Sequence, residues 1–209
     1  VTYLLFKTAR LDPYVSLVVV VPLFFALGAL IYQVVIRRIV EAPHFAHMMV
    51  TLGLLIFLEN LANFFFGGDL RGVTTSYTTS SLVLGPIAVP LARGAAAGVR
   101  LGAVVLLWLF LHRTSFGKAI RAAANNRQGA HLVGINVGRV YLVSFALGTV
   151  AAGLAGAVLV PFSLVSPFVG NEFILKAFVI VVLGGLGSVG GAFIGGILIG
   201  LVEVFSSLF

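Results

Sequence analysis

The chain of 209 residues contains no cysteine. This excludes disulfide bonds, thiolate metal sites and a cysteine nucleophile together, and leaves no thiol for redox chemistry. Charge is nearly as scarce: Asp and Glu number 6, and charged residues make up 9% of the chain, against about a quarter in an ordinary soluble protein. A soluble domain of this size would need a polar surface however large its core, so the composition excludes one. No Ser-His-Asp set, paired intramembrane carboxylates or metal-binding cluster stands out in the sequence. His44 and His47 can meet on one helix face, but without a third ligand they do not make a metal site. Neither a catalytic residue nor a cofactor bound by this chain is expected.

What the chain has in abundance is apolar: 60% of its residues are hydrophobic and its mean hydropathy is +1.17. A bilayer core about 30 Å thick takes about 20 helical residues to cross, and irregular backbone cannot face lipid. On that rule the predicted spans are 15–36, 49–66, 95–111, 140–160 and 191–209. A sixth apolar run, 173–184, is only about 18 Å long as a helix and runs into glycines, so it is expected to be broken, re-entrant or extended back to Ser166. The predicted fold class is all-α: a polytopic transmembrane helical bundle, one domain over 1–209, with a glycine-rich broken helix near 173–190. The chain opens at Val1 inside VTYLLF, which resembles the last turns of an apolar segment, and so reads as a fragment lacking an N-terminal part.

The net charge of +7 would suggest nucleic acid in a soluble protein. In a membrane protein it points to basic cytoplasmic loops, and no nucleic-acid partner is expected. One side of the predicted topology carries Arg37, Arg38, Arg113, Lys118, Arg121, Arg127 and Arg139; the other carries Lys7, Arg10, Arg71 and Arg93. The positive-inside rule places the first set, with loops 37–48 and 112–139, in the cytoplasm. The polar stretch GGDLRGVTTSYTTSSLVLGP then forms an exposed connection on the opposite face. Arg100 and Lys176 lie in or near apolar runs, and snorkelling to the outer interface accounts for both.

The run FVIVVLGGLGSVGGAFIGG sets Gly185, Gly187 and Gly190 in GxGxxG spacing. A dinucleotide site needs an amphipathic helix next, packed on a sheet, whereas AFIGGILIGLV has no polar face. Small residues every four positions explain the glycines better: Gly187, Gly191 and Gly195 form one stripe, and Gly148, Ala152 and Gly156 another. Such stripes let membrane helices approach closely. In LLIFLENLANFFFGG, Glu59 and Asn63 share a helix face with Asn60 adjacent. A carboxylate there implies either a solute path or an interhelical hydrogen bond, and the sequence leaves both open.

The longest polar interruption is RTSFGKAIRAAANNRQGAHLVGINVGR, residues 113–139, with five cations and no acid. Its Ala, Lys, Arg and Leu favour a short helix that stops at Gly134. On physics alone it is either a topology-setting loop or a docking element. FGKAIRAAANNRQGAHLVGINVGRVYLVSFALGTVAAGLAG, followed by KAFVIVVLGGLGSVGGAFIGGILIGLVE, resembles the permease of branched-chain amino acid ABC transporters, and the likeness extends through PLFFALGALIYQVVIRR and LLIFLENLANFFFGG. The family's N-terminal helices and its final helix are absent from the matching residues.

The resemblance implies that the basic loop is a coupling helix docking on a cytoplasmic ATPase. Carried over by position, that surface comprises Gly117, Arg121, Ala122, Ala123, Asn126, Leu132, Gly134, Ile135 and Asn136. Gln128 and Gly129 replace the acidic residue and alanine common there, and Gly129 should weaken the helix by about 1 kcal/mol relative to alanine. The implied partners are a second permease subunit, the ATPase subunits with their ATP and Mg, an extracytoplasmic solute-binding protein and the bilayer of a prokaryotic inner membrane. The implied solute is a branched-chain or other hydrophobic amino acid. The same architecture carrying urea, short amides or sugars is the alternative within transport. A channel or ion-coupled carrier needing no ATPase, and a purely structural membrane scaffold, are the alternatives outside it.

Overall fold

The computed structural model describes residues 1–9, 14–70, 72, 81–84, 87–161, 163–185 and 187–206. A short α1 (Thr2–Ala9) precedes α2 (Leu17–Ile31), which continues through a π-helical turn at Tyr32–Ile36 into α3 (Arg37–Ile39). Then come α4 (His44–Phe66), a hairpin of β1 (Ser81–Leu84) and β2 (Ile87–Pro90), and α5 (Leu91–Arg113). The basic loop contributes α6 (Ser115–Asn125) and α7 (Arg127–Leu132), and the chain ends with α8 (Val137–Leu159), α9 (Gly170–Gly184) and α10 (Val189–Ser206).

Among the described residues, five helices are long and apolar enough to cross a membrane: Leu17–Ile39, Phe45–Phe66, Gly94–Arg113, Val137–Leu159 and Val189–Ser206. The chain is a multi-pass membrane protein, and these helices overlap the predicted spans with ends moved by a few residues. The ends follow local chemistry. Pro43, at φ −57° and ψ 152°, starts α4, and Gly67, at φ 73°, stops it. Phe64 is 83% exposed and Leu175 73%; apolar side chains bared to that extent belong against lipid, where they need no protein cover.

Among the described residues, the strands added to an all-helical plan are the antiparallel β1–β2 pair, in which Ser81 faces Pro90 and Leu84 faces Ile87. It lies in the connection read from sequence as irregular. Most of that connection's polar residues, among them Thr74–Ser80, fall outside the described residues.

The main helical seam joins α2 to α8. A Cβ on Gly28 would sit 2.6 Å from the Thr149 hydroxyl and 2.9 Å from the Ala146 Cα, and one on Gly153 would meet the Phe24 ring at 2.6 Å. Glycine at both positions therefore sets the spacing, and Val20, Ala146, Val150 and Ala157 are buried beside them. The stripe singled out from sequence lies elsewhere on α8. Gly148, Ala152 and Gly156 are exposed, and a Cβ on either glycine would have open space within 4 Å. Its four-residue repeat is real, but within this chain the packing falls on the neighbouring face, where Phe24 and Thr149 supply side chains to fill the gaps.

The broken helix expected near 173–190 is a helical hairpin. α9 has 15 residues, too short to cross alone, and Gly185 and Gly187 at φ 84° and 93° turn the chain into α10. Gly191 lies directly against the backbone of Gly184, and a Cβ on Gly195 would meet the Ile180 carbonyl at 3.0 Å. Of the sequence stripe Gly187, Gly191 and Gly195, the first thus serves the turn while the other two line the contact. An α-helix, not a strand, leads into the GxGxxG spacing, so the dinucleotide geometry is absent. Lys176 of α9 is not simply snorkelling: it is ion-paired with Glu203 of α10 at 2.5 Å.

Candidate functional site

The basic loop folds as a corner of two helices, where one was expected. The Thr114 hydroxyl accepts from Gly117 N at 3.0 Å, capping α6 at its N-terminus. Asn126, with extended φ and ψ, ends α6 and begins α7, its Oδ1 accepting from Gly129 N at 2.9 Å. An asparagine side chain that satisfies a helix-start N–H competes with continuing the first helix, which is why the chain bends there. Gly129 consequently sits in the first turn of α7 rather than in mid-helix.

α7 stops in a glycine-ended turn. Gly134 has φ 81°, its N–H reaches the His131 carbonyl at 3.1 Å, and the Ile135 N–H reaches the Ala130 carbonyl at 3.0 Å. These are the paired bonds of a Schellman motif, completed by the apolar contact of Ile135 with the Ala130 cluster. Asn136 then caps α8, accepting from Arg139 N at 3.0 Å. Three of the residues carried over from the family, Asn126, Gly134 and Asn136, therefore act first as corner pieces.

The corner is fastened to the spans from three directions. Ala123 and Ala130 are buried together with Val137 and Val140 of α8, with Ile120, Ile135 and Tyr141 packed around them. Gly117 lies against the Leu111 backbone, where a Cβ would overlap, and the Arg121 guanidinium donates to the Leu111 carbonyl. That contact satisfies a carbonyl at the end of α5, where a cation also suits the helix dipole. Arg127 Nη2 donates to Glu41 Oε1 at 2.9 Å, which brings loops 37–48 and 112–139 to the same end of the bundle.

This arrangement redistributes the sequence-predicted surface. Ala123 is 4% exposed, so it faces α8 and not a partner; Ala122 and Ile135 are half-buried. Arg121, Asn126, Leu132, Gly134 and Asn136 are exposed, Leu132 to 89%. Its neighbour Val133, 75% exposed, was missed from sequence. So was Glu41, although it is the one acid of the 6 that falls within the two basic loops, a signal that the sequence did carry.

The candidate solute-path residues stand apart from this corner. Glu59 and Asn63 are half-buried, whereas Asn60 is exposed and donates back to the Ile56 carbonyl of its own helix at 2.8 Å. Among the described residues α4 packs lengthwise on no other helix. Among the described residues, therefore, no helix packed along α4 encloses a path at Glu59.

Comparison with known proteins agrees with this architecture. The high-affinity branched-chain amino acid transport system permease protein LivH of Escherichia coli K12 is 30% identical over 201 residues, covering 88% of this chain and 61% of that protein. LivH of Salmonella typhimurium is 29% identical over 197 residues, with the same coverage. The ribose import permease protein RbsC of Escherichia coli K12 is 29% identical over 169 residues, 79% of this chain and 50% of that protein. The chain thus spans about three fifths of the length of its LivH relatives. No solved structure matches. The permease component of branched-chain amino acid transport systems matches residues 1–209 throughout, and the chain belongs to that family.

Proposed function

We propose that this chain is the membrane-spanning permease component of an ATP-driven importer of branched-chain amino acids in a prokaryotic inner membrane. ATP and Mg belong to a separate cytoplasmic ATPase, the solute arrives on an extracytoplasmic binding protein, and a second permease subunit completes the path. The supporting observation is the corner at 113–139: two capped helices, fastened to α5, α8 and Glu41, that present Leu132 outward. A rigid element with one projecting apolar tip can carry the motion of a docked ATPase into the spans, because its own joints leave little slack. The path would form where α4, with Glu59 and Asn63, meets the second subunit.

The test is Leu132→Glu in the assembled transporter. An exposed tip makes no internal packing, so insertion and topology should survive, with Ser115→Cys still protected and Ser163→Cys still labelled from outside. ATPase retention on purification should fall at least about tenfold, the effect expected of a central interface residue. Unchanged ATPase association, combined with unchanged solute-stimulated hydrolysis, would return the loop to a topology-setting role. Similarity to the ribose permease supports a second reading, a sugar as solute. Uptake of labelled leucine against labelled ribose, each with the cognate binding protein, separates the two.

A further inference from the structure

Beside the corner, on the same end of the bundle, a cavity of about 280 Å³ opens between the α2–α3 rod, α7 and the first turn of α8. Arg37, Arg38, Arg127 and His131 line it, with Glu41 the one carboxylate among the described lining residues. Arg127 pairs with Glu41 at 2.9 Å on the exposed surface and lies over the Tyr141 ring, 5.8 Å from the guanidinium carbon to the ring centroid. Counting Glu41 against the three arginines leaves an excess of positive charge. This cavity is smaller than most sites for drug-sized ligands, but it suits a phosphate with a few attached atoms.

A second cavity, about 500 Å³, continues from the first and shares Tyr32, Val40 and Tyr141 with it. Its further lining includes Ile36, His47, Ser144 and Phe145. Phe145 lies one turn along α8 from Tyr141, about 6 Å deeper into the span. Tyr32, the first residue of the π-helical turn, lines both cavities, and Ile36, its last, lines the second; such widened turns recur at ligand sites. Cations at the level of the membrane surface, joined to a largely apolar groove running inward, match an amphiphile with an anionic head.

From this juxtaposition we propose that Arg37, Arg38 and Arg127 hold the phosphate of an anionic phospholipid, with its chain lying along Ile36 and Phe145. Basic pockets between spans on the cytoplasmic side are suited to such headgroups. The groove argues for a lipid over a free phosphate, since a soluble anion would gain nothing from it. The bound lipid would bridge the α2–α3 rod to α7 and so brace the corner. This assignment is independent of whether an ATPase docks there.

The experiment uses the whole chain purified in neutral detergent and titrates four probes: dioleoyl phosphatidylglycerol, dioleoyl phosphatidylcholine, glycerol phosphate and inorganic phosphate. Binding is read by native mass spectrometry or by thermal shift. Phosphatidylglycerol should bind more tightly than the other three. Arg37→Gln should weaken it about fivefold, and Arg37→Gln with Arg38→Gln about thirtyfold, from the ordinary contribution of a cation near anionic lipid. Glu41→Gln should act in the opposite sense and tighten binding, because it removes the one carboxylate; loss of fold or of topology would not produce that gain. Equal binding of phosphatidylglycerol and phosphatidylcholine by the native chain would overturn the site. Glycerol phosphate or inorganic phosphate binding as tightly as the lipid would overturn the lipid and leave a free-phosphate site. Unchanged or weaker binding in Glu41→Gln would overturn the assignment of the cationic cavity.

Discussion

Two small-residue faces of the same helix behave differently. On α8, Gly153 meets Phe24 across a closed seam, while Gly148, Ala152 and Gly156, one face over, are exposed, and a Cβ on either glycine would meet no described atom within 4 Å. Both faces would permit close approach, and only one has a partner with side chains shaped to use it. A repeat of small residues therefore marks where a helix could come near, while the opposing helix decides whether it does. Among the described residues, the glycines of the exposed face have nothing within reach of an added methyl.

The largest effect expected from testing this contrast is at the seam. Gly153→Leu has no room beside Phe24, so α2 and α8 must separate. The loss of stability should reach or exceed the ordinary overpacking range of about 1–3 kcal/mol, measured as thermal or denaturant unfolding in detergent. Stability equal to the unaltered chain would mean that α2 and α8 do not pack through Gly28 and Gly153.

An intermediate effect is expected where a glycine is pressed against backbone outside the spans. Gly117→Ala adds a methyl where the Leu111 backbone already lies, and should loosen the α5–α6 corner by about 1–3 kcal/mol. Amide exchange at Lys118 and Arg121 is the local readout, and protection unchanged there would count against the tight corner. The smallest effect on folding belongs to the open face. Gly148→Ala should be neutral or stabilising by up to about 1 kcal/mol, because alanine is the better helix former and its methyl meets nothing. Ala152→Leu on that face should likewise leave the chain folded yet reduce its assembly with the second permease subunit proposed above. A folding loss as large as that of Gly153→Leu would break the contrast between the two faces.

Much of the docking candidate was legible in the sequence, but not its orientation. Small residues, cations and the Gly134 stop marked the loop. What could not be read was that Ala123 turns inward, because its burial depends on Val137 and Val140 of α8 lying beneath it. Ala123→Glu would disrupt the loop's own packing and report nothing about docking, whereas Leu132→Glu avoids that confusion. The bend at Asn126 was missed for a related reason. Helix propensity summed over the stretch outweighs a single residue, until the Asn126 side chain finds the Gly129 N–H and makes the break favourable. The Glu41–Arg127 pair joins residues 86 positions apart, and no local pattern announces it.

Composition and hydrophobic run length alone determined that the chain spans a membrane several times, because unpaired backbone cannot face hydrocarbon and about 20 apolar residues close one crossing. Charge counting set both basic loops on one side, and local chemistry placed the stops at Gly67, Gly134 and Gly185. Tertiary structure alone decided which glycines are contacts and which are free. It also paired Lys176 with Glu203 and gathered Arg37, Arg38 and Arg127 around one cavity. Helix formation follows from near neighbours in the chain, whereas the rotation of one helix against another follows from side chains far apart in sequence, Phe24 against Gly153 above all.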